Sequence, residues 1–342
     1  MKRLKKIFLL LFVAAITASC SKQETQHTDN TSRGELQSIT DNNQSSAEKS
    51  TASSVGASGV IYVNKAGLYT ETDDGKMKWV AEASLGDSAD YLGEKKEADR
   101  TDGQKRTFFH VKLNGKAYWV QDYSYEPDTM PAFISGQDVI LYKSESLAAM
   151  TDEYIPQYTI IAVYKDSLEK TDNKFIKIAA YSPELISSWV VKEKYIKRDA
   201  VETDRTSVEA MILAQVGMES KNDTIRTELF QNAIEIGSPY SDTIAALQSL
   251  SEIIMQEEIF MKDITSEKIH EKVTAAEDLN LFSIPDIHSA RTVGILKAGT
   301  TATASRKYLK KDESSESEEE WLYVQSKQKK GWVQASLIKK QQ

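Results

Sequence analysis

"WLYVQSKQKKGWVQ" at residues 321–334 and "FFHVKLNGKAYWVQ" at 108–121 align without a gap. Phe108 meets Trp321, Phe109 meets Leu322, Val111 meets Val324 and Trp119 meets Trp332. In both stretches two β-patterned runs flank a polar middle, and Asn114-Gly115 is a strong signal for a tight hairpin turn. Another Trp-Val pair, Trp189-Val190, closes "FIKIAAYSPELISSWVV" (175–191).

The landmarks upstream are spaced alike. Leu68 lies 51 residues before Trp119, and Leu281 lies 51 before Trp332. Gly86 follows Leu68 by 18 residues and Gly299 follows Leu281 by 18. Matched intervals of this kind indicate a duplication. In the middle of the chain Leu141-Tyr142 opens a more worn copy, with Thr159 taking the place of the glycine and Trp189 that of the closing tryptophan. Each unit of about 60 residues holds short apolar runs broken by polar turns, as in a small barrel of about five strands.

The last unit resembles the bacterial SH3-like domain. Family features fall at Leu279–Leu281 (opening strand), Ser283–Pro285 (loop), Val293–Gly299 (V-x-G-x-L-x-x-G turn), Trp321–Val324 and Gly331–Ile338 (closing G-W-V run). Phe282 stands where the family carries Arg, and the spacer before Trp321 is longer. The resemblance implies a mainly β chain of tandem SH3-like β-barrels, with units at 56–126, 131–200 and 273–340. In each copy a charged insertion separates the same two strands: 94–106, 165–174 and 310–320. These read as solvated surface loops or as ligand-tuning loops; "ESSESEEE" lacks the spacing of a calcium loop.

Residues 206–272 break the β-pattern and predict an α-helical bundle inserted before the last barrel. Of fifteen tyrosines only Tyr240 falls between 206 and 264. Thr206 and Glu209 have capping-box spacing, Asp223 reads as a cap, and Gly237 as a helix stop. Ile225, Leu229, Ala233 and Ile236 form one apolar stripe; Ile244, Leu247, Leu250 or Ser251, and Ile254 form another. His270 reads as helical. The bundle suits either a spacer or a partner-binding groove.

The N-terminus carries an address. Lys2, Arg3, Lys5 and Lys6 precede the apolar run "IFLLLFVAAITAS", the layout of a signal peptide over 1–19. Cys20, the single cysteine, follows in "ITASC", which resembles the lipobox of bacterial lipoproteins with Thr17 in place of the preferred Leu. The resemblance implies lipidation at Cys20, and Ser21 after it is compatible with export to an outer membrane. An ordinary signal peptide beside an incidental cysteine is the alternative. Residues 21–55 lack aromatics and are rich in Ser, Thr, Asn and Gln. They read as a flexible tether with a reach of roughly 35 Å.

Net charge is −8, and about −12 once the four basic residues of the leader are removed. That weighs against nucleic acid and anionic lipid as electrostatic partners. Mean hydropathy is −0.46. His27, His110, His270 and His288 are scattered, with no spacing for a metal site. No nucleotide, dinucleotide or hydrolase motif is present. No catalytic residue, cofactor or metal is therefore expected. The resemblance implies a lipid-anchored envelope protein, not an enzyme, that binds peptide, protein or glycan. The alternative is a peptidoglycan-binding anchor or regulator of a cell-wall enzyme. Expected partners are an envelope protein or cell-wall component, plus the membrane through Cys20. Candidate ligand-rim residues are Tyr69, Tyr118, Tyr142 and Phe282, while Trp119, Trp189 and Trp332 read as the core signature of the barrels.

Overall fold

Alternation and turn chemistry produce the predicted hairpin. In the computed structural model β5 (Lys105–Leu113) and β6 (Lys116–Gln121) are joined by Asn114 at φ 50° and Gly115 at φ 80°. Both turn residues are left-handed, as a two-residue turn matched to strand twist requires. The described residues are 55–137, 139–182, 190–311, 318–326 and 329–340.

The chain is mainly β, in three seven-stranded antiparallel sheets. The first holds β1 (Ser58–Ile61), β2 (Ala66–Glu71), β3 (Met77–Ala83), β4 (Ser88–Asp99), β5, β6 and β7 (Tyr125–Glu126). The second holds β8 (Thr129–Ile134), β9 (Val139–Tyr142), β10 (Met150–Ile155), β11 (Ile160–Tyr164), β12 (Phe175–Tyr181), β13 (Val190–Lys197) and β14 (Val201–Glu202); the short helix α1 (Lys165–Glu169) follows β11. Helices α2 (Arg205–Glu219), α3 (Asp223–Glu235) and α4 (Ser241–Asp263) come next. The third sheet comprises β15 (Glu267–Ala275), β16 (Leu279–Phe282), β17 (Thr292–Leu296), β18 (Thr301–Lys311), β19 (Glu318–Ser326), β20 (Lys329–Gln334) and β21 (Ile338–Lys340).

Strand order is the same three times. It runs β3-β2-β6-β5-β4-β1-β7, then β10-β9-β13-β12-β11-β8-β14, then β17-β16-β20-β19-β18-β15-β21. Each sheet is curled, because strands from both of its ends share one core. In the second, Leu141 and Ile155 from one end pack with Ala132 and Ile134 from the other. The third unit begins at Glu267, so the last stretch of the expected helical segment is strand; His270 lies in β15.

Register corrects the reading of the middle copy. Tyr69 faces Trp119 and Phe282 faces Trp332, and the corresponding pair is Tyr142 with Tyr195. Tyr195-Ile196, rather than Trp189-Val190, occupies the Trp-Val place, and Trp189 lies outside the described residues. The glycine place is likewise held by Tyr158, not Thr159. The amides of Gly86, Tyr158 and Gly299 donate to Ile61, Ile134 and Ala275 at 2.8, 2.7 and 2.9 Å. All three have positive φ, with Tyr158 at 65°.

The charged insertion at 94–106 is largely strand, extending β4 and β5 into a long ribbon, and the described ends of 310–320 belong to β18 and β19. Alternating charges pair across the first ribbon, as Lys105 with Glu97 at 2.8 Å. Residues 312–317 lie outside the described residues. The insertion at 165–174 contains α1.

Helix caps sit one or two residues from their predicted places. Asp204 caps α2, accepting from the Ser207 amide at 2.9 Å, and Asn222 caps α3. The buried face of α3 runs through Arg226, Phe230 and Ala233, while Ile225 is exposed. The α4 stripe holds as predicted and continues to Glu257. The helices cover an apolar seam between the first two sheets, where Leu85, Phe133 and Ile160 meet Met211 and Phe230. Beside it Val60 and Tyr62 pack on Ala162 and Ala179, and Lys192 pairs with Glu126 at 2.9 Å.

Two glycines separate turn geometry from helix docking. A Cβ on Gly299 meets nothing within 4 Å, whereas one on Gly86 would approach Ile212 Cδ1 to 2.4 Å. Gly299→Ala should cost about 1 kcal/mol from the left-handed backbone alone. Gly86→Ala should cost more, because the Ile212 side chain must also give way. Urea denaturation of both variants checks the order.

Candidate binding groove

Each sheet presents two apolar faces. Val120, Ile196 and Val333 point into the curled cores, so their neighbours Trp119, Tyr195 and Trp332 point outward. Across the outer face of the first sheet runs the row Trp79, Tyr69, Trp119, His110. The second sheet carries Met150, Tyr142, Tyr195, Lys177, and the third Thr292, Phe282, Trp332, Tyr323.

Most of this outer layer is packed. Tyr69 meets Phe108 edge-on at 5.2 Å, Tyr142 meets Phe175 at 5.0 Å, and Phe282 meets Trp321 at 5.9 Å. His110 stacks on Trp119 at 4.4 Å, and Lys96 lies over the same indole. Tyr69 and Tyr142 are only 4% exposed, so neither offers an open ligand rim. Tyr118 is half-buried against the first core. Trp119 and Trp332 are buried, though on the outer face of their sheets and not inside the curl. Cys20 lies outside the described residues. Of the four rim candidates, Phe282 borders a groove beside α4.

That groove, of about 690 Å³, separates α4 from the outer face of the third sheet. Ile254, Met261, Phe282, Val293 and Tyr323 give it an apolar lining, and Lys221, Lys262 and Lys330 stand around it. Burial raises the Tyr323 phenol, with Arg306 opposing the shift, so this hydroxyl stays protonated and neutral at neutral pH.

One carboxylate holds the groove together. Glu257, on α4, is 8% exposed and accepts from Arg291 Nε and Nη2 at 2.9 and 2.8 Å. It also accepts from the Ser283 hydroxyl at 2.6 Å and the Arg291 amide at 3.2 Å. Ser283 and Arg291 are the two stems of the loop between β16 and β17, so α4 grips both. Sequence reasoning missed this pair. The available signal was a glutamate in phase with the Ile254 stripe of α4. Farther along the loop, burial pushes the Asp286 carboxyl up, but the His288 amide, the Ser289 hydroxyl and Lys310 outweigh it and leave it below the usual range.

Among the described residues no group of three or more His, Cys, Asp or Glu is placed to hold a metal. None of their helices is long and apolar enough to cross a membrane.

No protein-family model matches the chain, and no curated protein matches it. Among solved structures, NlpC2 from Trichomonas vaginalis aligns over 83% of this chain and 97% of its own, at 13% identity and a TM-score of 0.18. NlpC1 from the same organism aligns over 84% and 95%, at 14% identity and 0.18. At these scores neither likeness bears on fold or activity.

Removing Arg291 strands a buried carboxylate, so Arg291→Ala should loosen α4 from the third sheet more than Glu257→Gln does. Because Arg291 is 34% exposed, the coupling in a double-mutant cycle should be about 1–2 kcal/mol, below that of a fully buried pair. Urea unfolding followed by tryptophan fluorescence measures it. The depressed Asp286 carboxyl stabilises the loop above its unfolded value of about 3.9, and that contribution is lost as pH falls through the folded value. Protection factors of the amides at 286–290, taken relative to intrinsic exchange at each pH, should therefore fall below about pH 4 and stay high at neutral pH.

Proposed function

We propose that this chain is a lipid-anchored protein of a bacterial envelope, exported by its leader and held by acyl chains on Cys20. It binds peptide, protein or glycan ligands through three SH3-like modules and carries out no chemistry of its own. The observation that carries this reading is one strand order used three times with three unlike loops between the second and third strands. Where copies keep their interior and diverge outside, the difference lies where ligands are met. A run of polar residues between the lipid and the first module suits a binding protein that must search for its partner. Two or more acyl chains give stable anchoring where a single one does not.

Cys20→Ser should abolish labelling by a fatty-acid probe and release the chain from the membrane fraction; persistent labelling would refute the anchor. The purified lipid-free chain, incubated with peptidoglycan sacculi at low salt, tests the wall-anchor alternative. Retention favours that alternative, and passage into the supernatant removes it.

A further inference from the structure

Each of the three sheets ends on the corresponding strand, and that strand exposes two large apolar side chains, beside Lys78 and Glu82 on β3 and Asp152 on β10. Edge strand β3 exposes Trp79 and Val80, β10 exposes Met150 and Tyr154, and β17 exposes Val293 and Ile295. A bulge recurs in each edge pairing; in the first and third sheets it turns an extra valine, Val80 or Val293, outward. Sheet edges carry unpaired N–H and C=O groups and are normally blunted by short length, charge, proline, a bulge or a covering element. Bulges kept at one position re-aim side chains there. Charge blunts the first two edges, whereas β17 exposes no charged side chain and is the edge left open for pairing.

The third edge has further definition. Val293 lines the α4 groove beside Phe282 and Met261, so a segment laid along β17 would enter an apolar trough. The charge around it is one-sided. Lys221, Lys262 and Lys330 are exposed and have no ion-pair partner among the described residues. Of the two acids in the groove, Glu257 is neutralised by Arg291, which leaves Glu258 alone. In a chain of net charge −8 this is a local reversal.

We infer that the groove between α4 and β17 takes an extended peptide segment of a partner, with acidic and apolar side chains alternating along it. Main-chain pairing to β17 supplies affinity and the period-2 pattern supplies selection. The apolar face meets Phe282 and Val293, and the acidic side chains meet the lysines. This rests on the binding reading above and names the ligand class of one module.

The test uses the full chain in detergent and two fluorescent acetylated hexapeptides, Glu-Val-Glu-Ile-Glu-Val and its Lys-for-Glu counterpart, followed by anisotropy. The acidic peptide should bind at least tenfold more tightly, and less so as salt rises. Lys262→Glu with Lys330→Glu should cut its affinity about tenfold and favour the basic peptide. Lys339→Glu, on an exposed lysine outside the groove, should change neither. Amide exchange over 292–296 should slow when the acidic peptide is bound. Equal binding of both peptides, binding of neither, an unaffected double variant, or unchanged exchange at 292–296 would each overturn the inference. Fatty-acid labelling of Cys20 reports on the anchor separately, so the two readings can fail independently.

Discussion

An aromatic pair set edge-on at 5.0–5.9 Å recurs on the back of all three sheets: Tyr69–Phe108, Tyr142–Phe175 and Phe282–Trp321. Much of the architecture depends on it. A curled sheet buries its concave side by closing on itself, but the convex side needs its own cover. The aromatic pair, joined by Trp119, Tyr195 or Trp332, supplies that second layer. Edge-on pairs contribute about 0.5–1.5 kcal/mol beyond the area they bury. They also fix register, because a slip by one residue would exchange the two faces.

With both faces committed, little freedom remains for ligand contact. It lies at the edge strands and in the loops between the second and third strands, which differ among copies. The first is a tight turn at 72–76, the second carries a short 3-10 helix at Leu147–Ala149, and the third is the Ser283–Arg291 loop gripped by Glu257. The helices add a further distinction. They seal the seam between the first two sheets through Met211 and Phe230, whereas the third sheet meets α4 across an open groove. In module three Phe282 and Tyr323 remain partly accessible beside α4.

The first and third copies were legible because their closing hairpins have the same length, so Trp119 and Trp332 fall at one interval from Leu68 and Leu281. The middle copy misled for physical reasons. Tyr195 does the packing of a tryptophan, Tyr158 adopts the left-handed conformation normally given to glycine, and the sequence offers a decoy Trp-Val pair at 189–190. β15 was hidden because "EKIHEKVTA" is rich in helix-favouring Glu and Lys, yet pairing with β18 and β21 holds it extended. Tyr69 and Tyr142 were picked as rim residues from their place after the opening leucine. That alternation does turn them away from the core, but the outer layer then covers them. The Glu257–Arg291 contact joins residues 34 apart, which no local pattern reports.

The register of the middle sheet decides whether it is a third copy of the same module. Lys177 lies directly opposite Tyr195, while Val190 lies opposite Tyr181. Directly opposed strand positions place Cα atoms about 4.5–5.5 Å apart, within disulfide range. In a Cys20→Ser background, the pair Lys177→Cys with Tyr195→Cys should oxidise to an intramolecular disulfide. Oxidation of Lys177→Cys with Trp189→Cys in its place would contradict the threefold account.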